Sequence, residues 1–285
     1  MAIFTNQATL TYSGGVLTSN TAVGEIVEVL SMTKTAINDG YGIGDTVTYV
    51  ISIVNSGAQT FAGLTVTDDL GAFPLNAGTV TPLTYVEDSL RYFINGVPQA
   101  VAPAVVAGPP LQIGGFSVPA GGNVILIYET TVNQFAPPTS GEVITNTATL
   151  TGGGLATPIT AEETVPAAQA AQLNIFKALS PATVTENGTL TYTFLIENSG
   201  NTAAVATDDV VVTDLFSPIL ENITVTLDGV VLTEGVQYNY NQATGLFQTV
   251  AGNITVPPAT FTQDPVTGQW TVVPGIATLV VTGTI

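Results

Sequence analysis

The sequence predicts an all-β chain of two tandem β-sandwiches, and three observations carry that expectation. Short β-branched runs bounded by Gly, Pro, Asn and Asp fill the chain, helical periodicity is nearly absent, and a segment of the first half recurs in the second. At 285 residues there is room for two domains, each with its own core. Hydrophobic residues make up 45% of the chain, which sets it apart from a disordered tail.

In order, residues 1–12 read as a lone strand, 13–24 as a linker, 25–165 as a first domain and 166–285 as a second. Runs at 46–54, 64–67, 124–132 and 143–151 have the length and spacing of strands in an immunoglobulin-like sandwich. The Ala-rich stretch 167–172 is the one helix-friendly piece.

The repeat aligns KTAINDGYGIGDTVTYVISIVNSG from Lys34 with KALSPATVTENGTLTYTFLIENSG from Lys177. Each copy goes on to a Val-Thr-Asp step, at Asp68 and Asp214. Domain one then runs through 127–132 to a last strand at 144–151. In domain two the final residues match 127–132, and the counterpart of the last strand stands at the other end, where residues 4–11 reproduce 144–151. The chain reads as a circularly permuted tandem.

A sandwich without its closing strand leaves unpaired N–H and C=O groups beside an open apolar groove, and a lone strand has the complementary defect. Donation of the N-terminal strand to a neighbouring copy repairs both and builds an open, head-to-tail homopolymer. The donor face would be Phe4, Asn6, Ala8, Leu10 and Tyr12. Closure within one chain, pairing within domain one and a frayed terminus are the alternatives.

Period-two alternation also points one Lys, one Asp and one Asn inward in each domain: Lys34, Asp68 and Asn146, then Lys177, Asp214 and Asn6. Such groups are costly to bury unless they satisfy one another. An intramolecular isopeptide bond would do so: a desolvated Lys amine attacks the Asn amide, ammonia leaves, and the Asp shuttles protons. In domain two the bond, Lys177 to Asn6 with Asp214 as helper, would join subunits. A buried Lys–Asp ion pair hydrogen-bonded to Asn fits the same pattern.

Other chemistry is bounded by composition. Net charge is −18 and the basic residues are Lys34, Arg91 and Lys177, so neither nucleic acid nor anionic membrane is an expected partner. Without Cys or His there are no disulfides, thiolates, imidazole bases or typical zinc sites. No enzyme activity, cofactor or metal is expected; Asp39, Asp45, Asp208 and Asp209 lack EF-hand spacing, and Glu129 is given a minor role at most. Residues 1–6 lack the pattern of a signal peptide, so an export leader is expected elsewhere or another route is used.

The stretches Lys-Thr, GDTVTYVISIVNSG, VTDDL and ITNTATLTGGG resemble the Ig-like repeat of bacterial surface proteins, a domain of unknown function, over most of 25–165 and more loosely over 170–285. They are also similar to isopeptide-forming pilin and adhesin domains of Gram-positive bacteria. That resemblance implies a cell-surface or fibre-forming protein and supports Lys34–Asn146 with Asp68 and Lys177–Asn6 with Asp214. The expected function is a structural protomer of an extracellular filament, pilus-like or spore-appendage-like. A surface adhesin with domains closed in cis, engaging an unknown ligand, is the alternative.

Overall fold

The computed structural model describes residues 2–26, 29–76 and 78–285. Regular structure is β throughout, apart from one 3-10 turn at Ala206–Asp208. The Ala-rich stretch 167–172 is not helical: the Ala167 and Ala168 amides are taken by the carbonyls of Glu142 and Tyr41, which hold it extended.

Four strands precede the first sandwich: β1 (Ala2–Asn6), β2 (Thr9–Tyr12), β3 (Gly15–Thr18) and β4 (Ala22–Ile26). β1 pairs with β4 and β2 with β3, so the segment is one long two-armed hairpin turning at Ser13-Gly14. The expected linker at 13–24 is therefore largely strand. Every side chain from Phe4 to Val23 is exposed.

The first sandwich contains β5 (Leu30–Ala36), β6 (Thr46–Asn55), β7 (Phe61–Asp68), the small hairpin of β8 (Phe73–Leu75) and β9 (Gly78–Val80), β10 (Leu83–Tyr85), β11 (Arg91–Ile94), β12 (Val97–Pro98), β13 (Ala104–Val106), β14 (Leu111–Val118), β15 (Asn123–Val132), β16 (Val143–Gly152) and β17 (Ile159–Pro166). One sheet has the order β12-β11-β15-β6-β5, with β10 also on β15; the other is β13-β14-β7-β16-β17. Alternate residues of β6 (Val47, Tyr49, Ile51, Ile53) and of β15 (Val124, Leu126, Tyr128) meet Leu64, Val66, Ile113 and Leu150 in a closed core. The strand at 144–151, expected to be last, is followed by β17, which pairs with β16 and lies along β5. Two strands, not one, close this domain.

The second sandwich contains β18 (Leu173–Ser180), β19 (Thr189–Asn198), β20 (Thr213–Leu215), β21 (Glu221–Leu227), β22 (Val230–Val231), β23 (Tyr238–Asn241), β24 (Leu246–Thr249), β25 (Thr260–Gln263), β26 (Trp270–Val273) and β27 (Gly275–Thr284). The sheet β18-β19-β27-β21-β22 corresponds to the first sheet of domain one. Facing it is only β20-β24-β23, which is β7-β14-β13 with the β16–β17 hairpin removed. Among the described residues β20 thus has one free edge.

The repeated Asn-Ser-Gly is a structural fastener. Asn55 and Asn198 are buried, and each Nδ2 donates to two loop carbonyls, Gln59 (2.8 Å) and Pro119 (2.9 Å) or Thr202 (2.8 Å) and Pro257 (3.1 Å). Each Oδ1 accepts the amide of the glycine two residues on, at 2.9 Å.

Candidate functional site

Three strands bring the first Lys–Asp–Asn set together. β5 turns Leu30, Met32 and Lys34 inward on alternate residues; β7 ends on Asp68; β16 places Asn146 between Ile144 and Ala148. Lys34 Nζ lies 2.6 Å from Asp68 Oδ2, and both side chains are fully buried. Tyr128 Oη donates to the same carboxylate oxygen, and the Leu70 amide donates to Asp68 Oδ1 at 3.0 Å. Asn146 Oδ1 accepts the Gly71 amide at 3.3 Å, while Asn146 Nδ2 and Tyr49 Oη are buried with no hydrogen-bond partner.

Burial lowers the Lys34 pKa below its ordinary value, with the Asp68 charge and hydrogen bond pulling the other way. Burial likewise raises Tyr49 and Tyr128, opposed in part by the Asn146 amide that lies beside both phenols. The Lys34 amine sits 4.8 Å from the Tyr49 ring centroid, and the Tyr49 and Tyr128 rings stack at 5.8 Å. An amine whose ionised form is disfavoured, a carboxylate in contact with it and a side-chain amide with an idle NH₂ thus share one buried pocket. These are the parts needed for amide exchange.

In domain two Lys177 Nζ also contacts Asp214 Oδ2, over the rings of Tyr192 (4.5 Å), Phe194 (5.5 Å) and Phe216 (5.7 Å). This pair is open: the side chains are 42% and 17% exposed. Asn6 is not brought to it; in the free hairpin it pairs with Ala22. The donor-face residues Phe4, Ala8, Leu10 and Tyr12 are likewise exposed, and among the described residues β1 packs on β4 and β2 on β3.

The two tyrosines escaped the sequence reading. Their signal was present, since Tyr49 and Tyr192 occupy the same place in the repeat and Tyr128 follows Val124 and Leu126 at period two. Glu129 points outward and has no part in the pocket. Among the described residues no cluster of side chains suits a metal ion, and no helix is long and apolar enough to cross a membrane.

A scan against protein-family models finds no match, and no curated protein matches the sequence. Among solved structures the chain is similar to bacterial pilins. One is the pilus backbone RrgB of Streptococcus pneumoniae, at 13% identity and TM-score 0.36, covering 86% of this chain and 55% of that one. Another is BcpA, the major pilin subunit of Bacillus cereus, at 13% identity and TM-score 0.34, covering 96% of this chain and 73% of that one. The full-length major pilin SpaD of Corynebacterium diphtheriae matches at 11% identity and TM-score 0.36, covering 86% and 59%. This chain spans little more than half the length of RrgB. At these identities and TM-scores the likenesses bear on neither activity nor assembly.

Proposed function

We propose that the chain is a structural protomer of an extracellular filament, polymerising head to tail as the N-terminal strand of one copy completes the second sandwich of the next. The observation that carries this reading is a matched pair of free edges. Among the described residues β20 has an unpaired edge where β7 pairs with β16, and β1 and β2 have an unpaired edge where β16 pairs with β7. Transferring the register of domain one, in which Ala148 pairs with Asp68 and Leu150 with Val66, sets Ala8 against Asp214 and Leu10 against Val212. Asn6 then falls where Asn146 falls, at the Lys–Asp pair.

Closure within one chain is opposed by reach. Domain two leaves domain one beside Tyr41, next to Ala167 and Ala168, whereas the hairpin joins at Leu30, the other end of β5. In domain one the end of β17 lies beside Tyr41, so Ile26 would have to reach the corresponding far end of domain two. Two sandwiches with strands of about ten residues separate those points, roughly 65 Å. The four steps from Ile26 to Leu30 span at most about 14 Å.

In the covalent form, Lys34 Nζ bonds to Asn146 Cγ within domain one, and Lys177 Nζ bonds to Asn6 Cγ of the neighbouring copy. At each site the Cγ–Nδ2 bond breaks, and Asp68 or Asp214 carries the amine proton to the departing NH₂, which leaves as ammonia. The test is a denaturing gel of boiled polymer with intact-mass measurement. A ladder of covalent multimers, with one ammonia lost per bond and collapse to monomer in Lys177→Ala, is expected. Monomer at full mass from a sample that forms long polymers natively would reduce the assembly to non-covalent strand donation. A chain that stays monomeric under native conditions at high concentration would refute the reading.

A further inference from the structure

We infer that the donated element is the whole hairpin, residues 2–26, and that its second arm covers a face of β18 in the neighbouring copy. This rests on the strand-donation reading and extends it to a second interaction surface.

The acceptor side is read from burial. Leu30 and Met32 of β5 are 7% exposed beneath β17, and their counterparts in β18, Leu173 and Ile175, are 42% and 50% exposed; Leu179 is 44% exposed. The strand that lies along β5 is β17, while β16 fills the gap beside β7. A single donated strand in the place of β16 would therefore leave Leu173, Ile175 and Leu179 in water.

The donor side matches. Leu10 pairs with Leu17 as Leu150 pairs with Ile159, and Phe4 pairs with Gly24 as Ile144 pairs with Val165. Ile159 and Ala161 pack on the core of domain one, and Leu17 and Ser19 hold their places in the hairpin. The Phe4 ring lies over Gly24, where a Cβ would overlap it, so one large and one absent side chain fill the space that Ile144 and Val165 share. An isolated two-stranded hairpin is at best marginally stable in water, yet this one exposes Phe4, Leu10, Tyr12, Val16, Leu17 and Val23. At 25 residues it has the size of one side of a stable interface, about 20–30 residues, whereas residues 4–12 alone fall well short.

The experiment compares assembly of the full chain with that of Leu17→Asp, Leu10→Asp and Thr18→Asp, by sedimentation across a concentration series. Leu17 is exposed and the hairpin packs on neither sandwich, so these changes leave both domains folded. Leu17→Asp is expected to raise the concentration needed for assembly at least tenfold, while Thr18→Asp, on the outer face, assembles like the parent. Normal assembly of Leu17→Asp beside failure of Leu10→Asp would overturn the hairpin inference and leave single-strand donation standing. Normal assembly of all three would overturn both.

Discussion

Replacing the Lys34–Asp68 pair separates a covalent cross-link from a buried ion pair, because the two respond differently to removal of both charges. Suppose first that Lys34 is bonded to Asn146. The bond closes a loop of about 110 residues, worth roughly 5 kcal/mol on a chain-entropy account. Asp68→Leu then loses the bond and also leaves the fully buried Lys34 without its counter-charge, which costs about 3–5 kcal/mol more. The combined loss, roughly 8–10 kcal/mol, rivals the whole stability of a domain. Adding Lys34→Met removes the stranded charge, so the double variant recovers the second part and remains about 5 kcal/mol below the parent. Suppose instead that the contact is only an ion pair. Asp68→Leu costs about 3–5 kcal/mol, and the double variant returns to the parent's stability or exceeds it, as apolar replacement of buried ion pairs often does. Hydrogen exchange at the amides of Val47, Tyr49 and Ile51 reports opening of this core alone, and intact mass records the bond. A double variant as stable as the parent, with the parent at full mass, would refute covalent closure of domain one.

Two further outcomes follow from groups outside that pair. Asn198→Ala strands two loop carbonyls and two amides, those of Gln172 and Gly200, and should destabilise domain two by about 2–4 kcal/mol; calorimetry checks this, and an unshifted melting transition would show the fastener to be dispensable. Burial raises Tyr41, Tyr49 and Tyr128 above their ordinary value of 10.0. Their contribution is full below about pH 10 and is lost as pH climbs towards the folded-state values, where the unfolded chain holds fewer protons. Domain one should unfold in alkali in one step with the appearance of tyrosinate absorbance. Smooth titration near pH 10 with retained structure would contradict the placement of these rings.

Alternation made much of the site legible. The inward placement of Lys34, Asp68 and Asn146 followed from period two alone, because a one-residue slip would send the Leu30–Met32 and Leu64–Val66 rows into water. The second arm of the hairpin was hidden by its composition. Gly24 stands where the equivalent strand has Val165, and only the ring of Phe4, twenty residues earlier, explains it. The Ala-rich stretch 167–172 misled in the opposite sense, since its helical propensity is overridden by backbone bonds to Glu142 and Tyr41.

The two pockets differ where the order of assembly would be decided. Lys34 is enclosed by strands of its own chain, and Tyr128 shares its carboxylate. At Lys177 the repeat keeps Tyr192 in the place of Tyr49, but β27 sets Val281 opposite it where β15 sets Tyr128 opposite Tyr49. Asp214 keeps the amine and, at 2.9 Å, the Leu215 amide. Desolvation is the largest influence on Lys34, and in the free protomer the exposed Lys177 side chain lacks that enclosure. On the reading proposed here, an incoming copy supplies both the acyl group, on Asn6, and the enclosure. A hairpin seated out of register would leave the pocket wet and Asn6 misplaced, so it would dissociate before any bond formed. The covalent step would thereby record only correctly registered contacts, which is what a long filament built from one kind of joint requires.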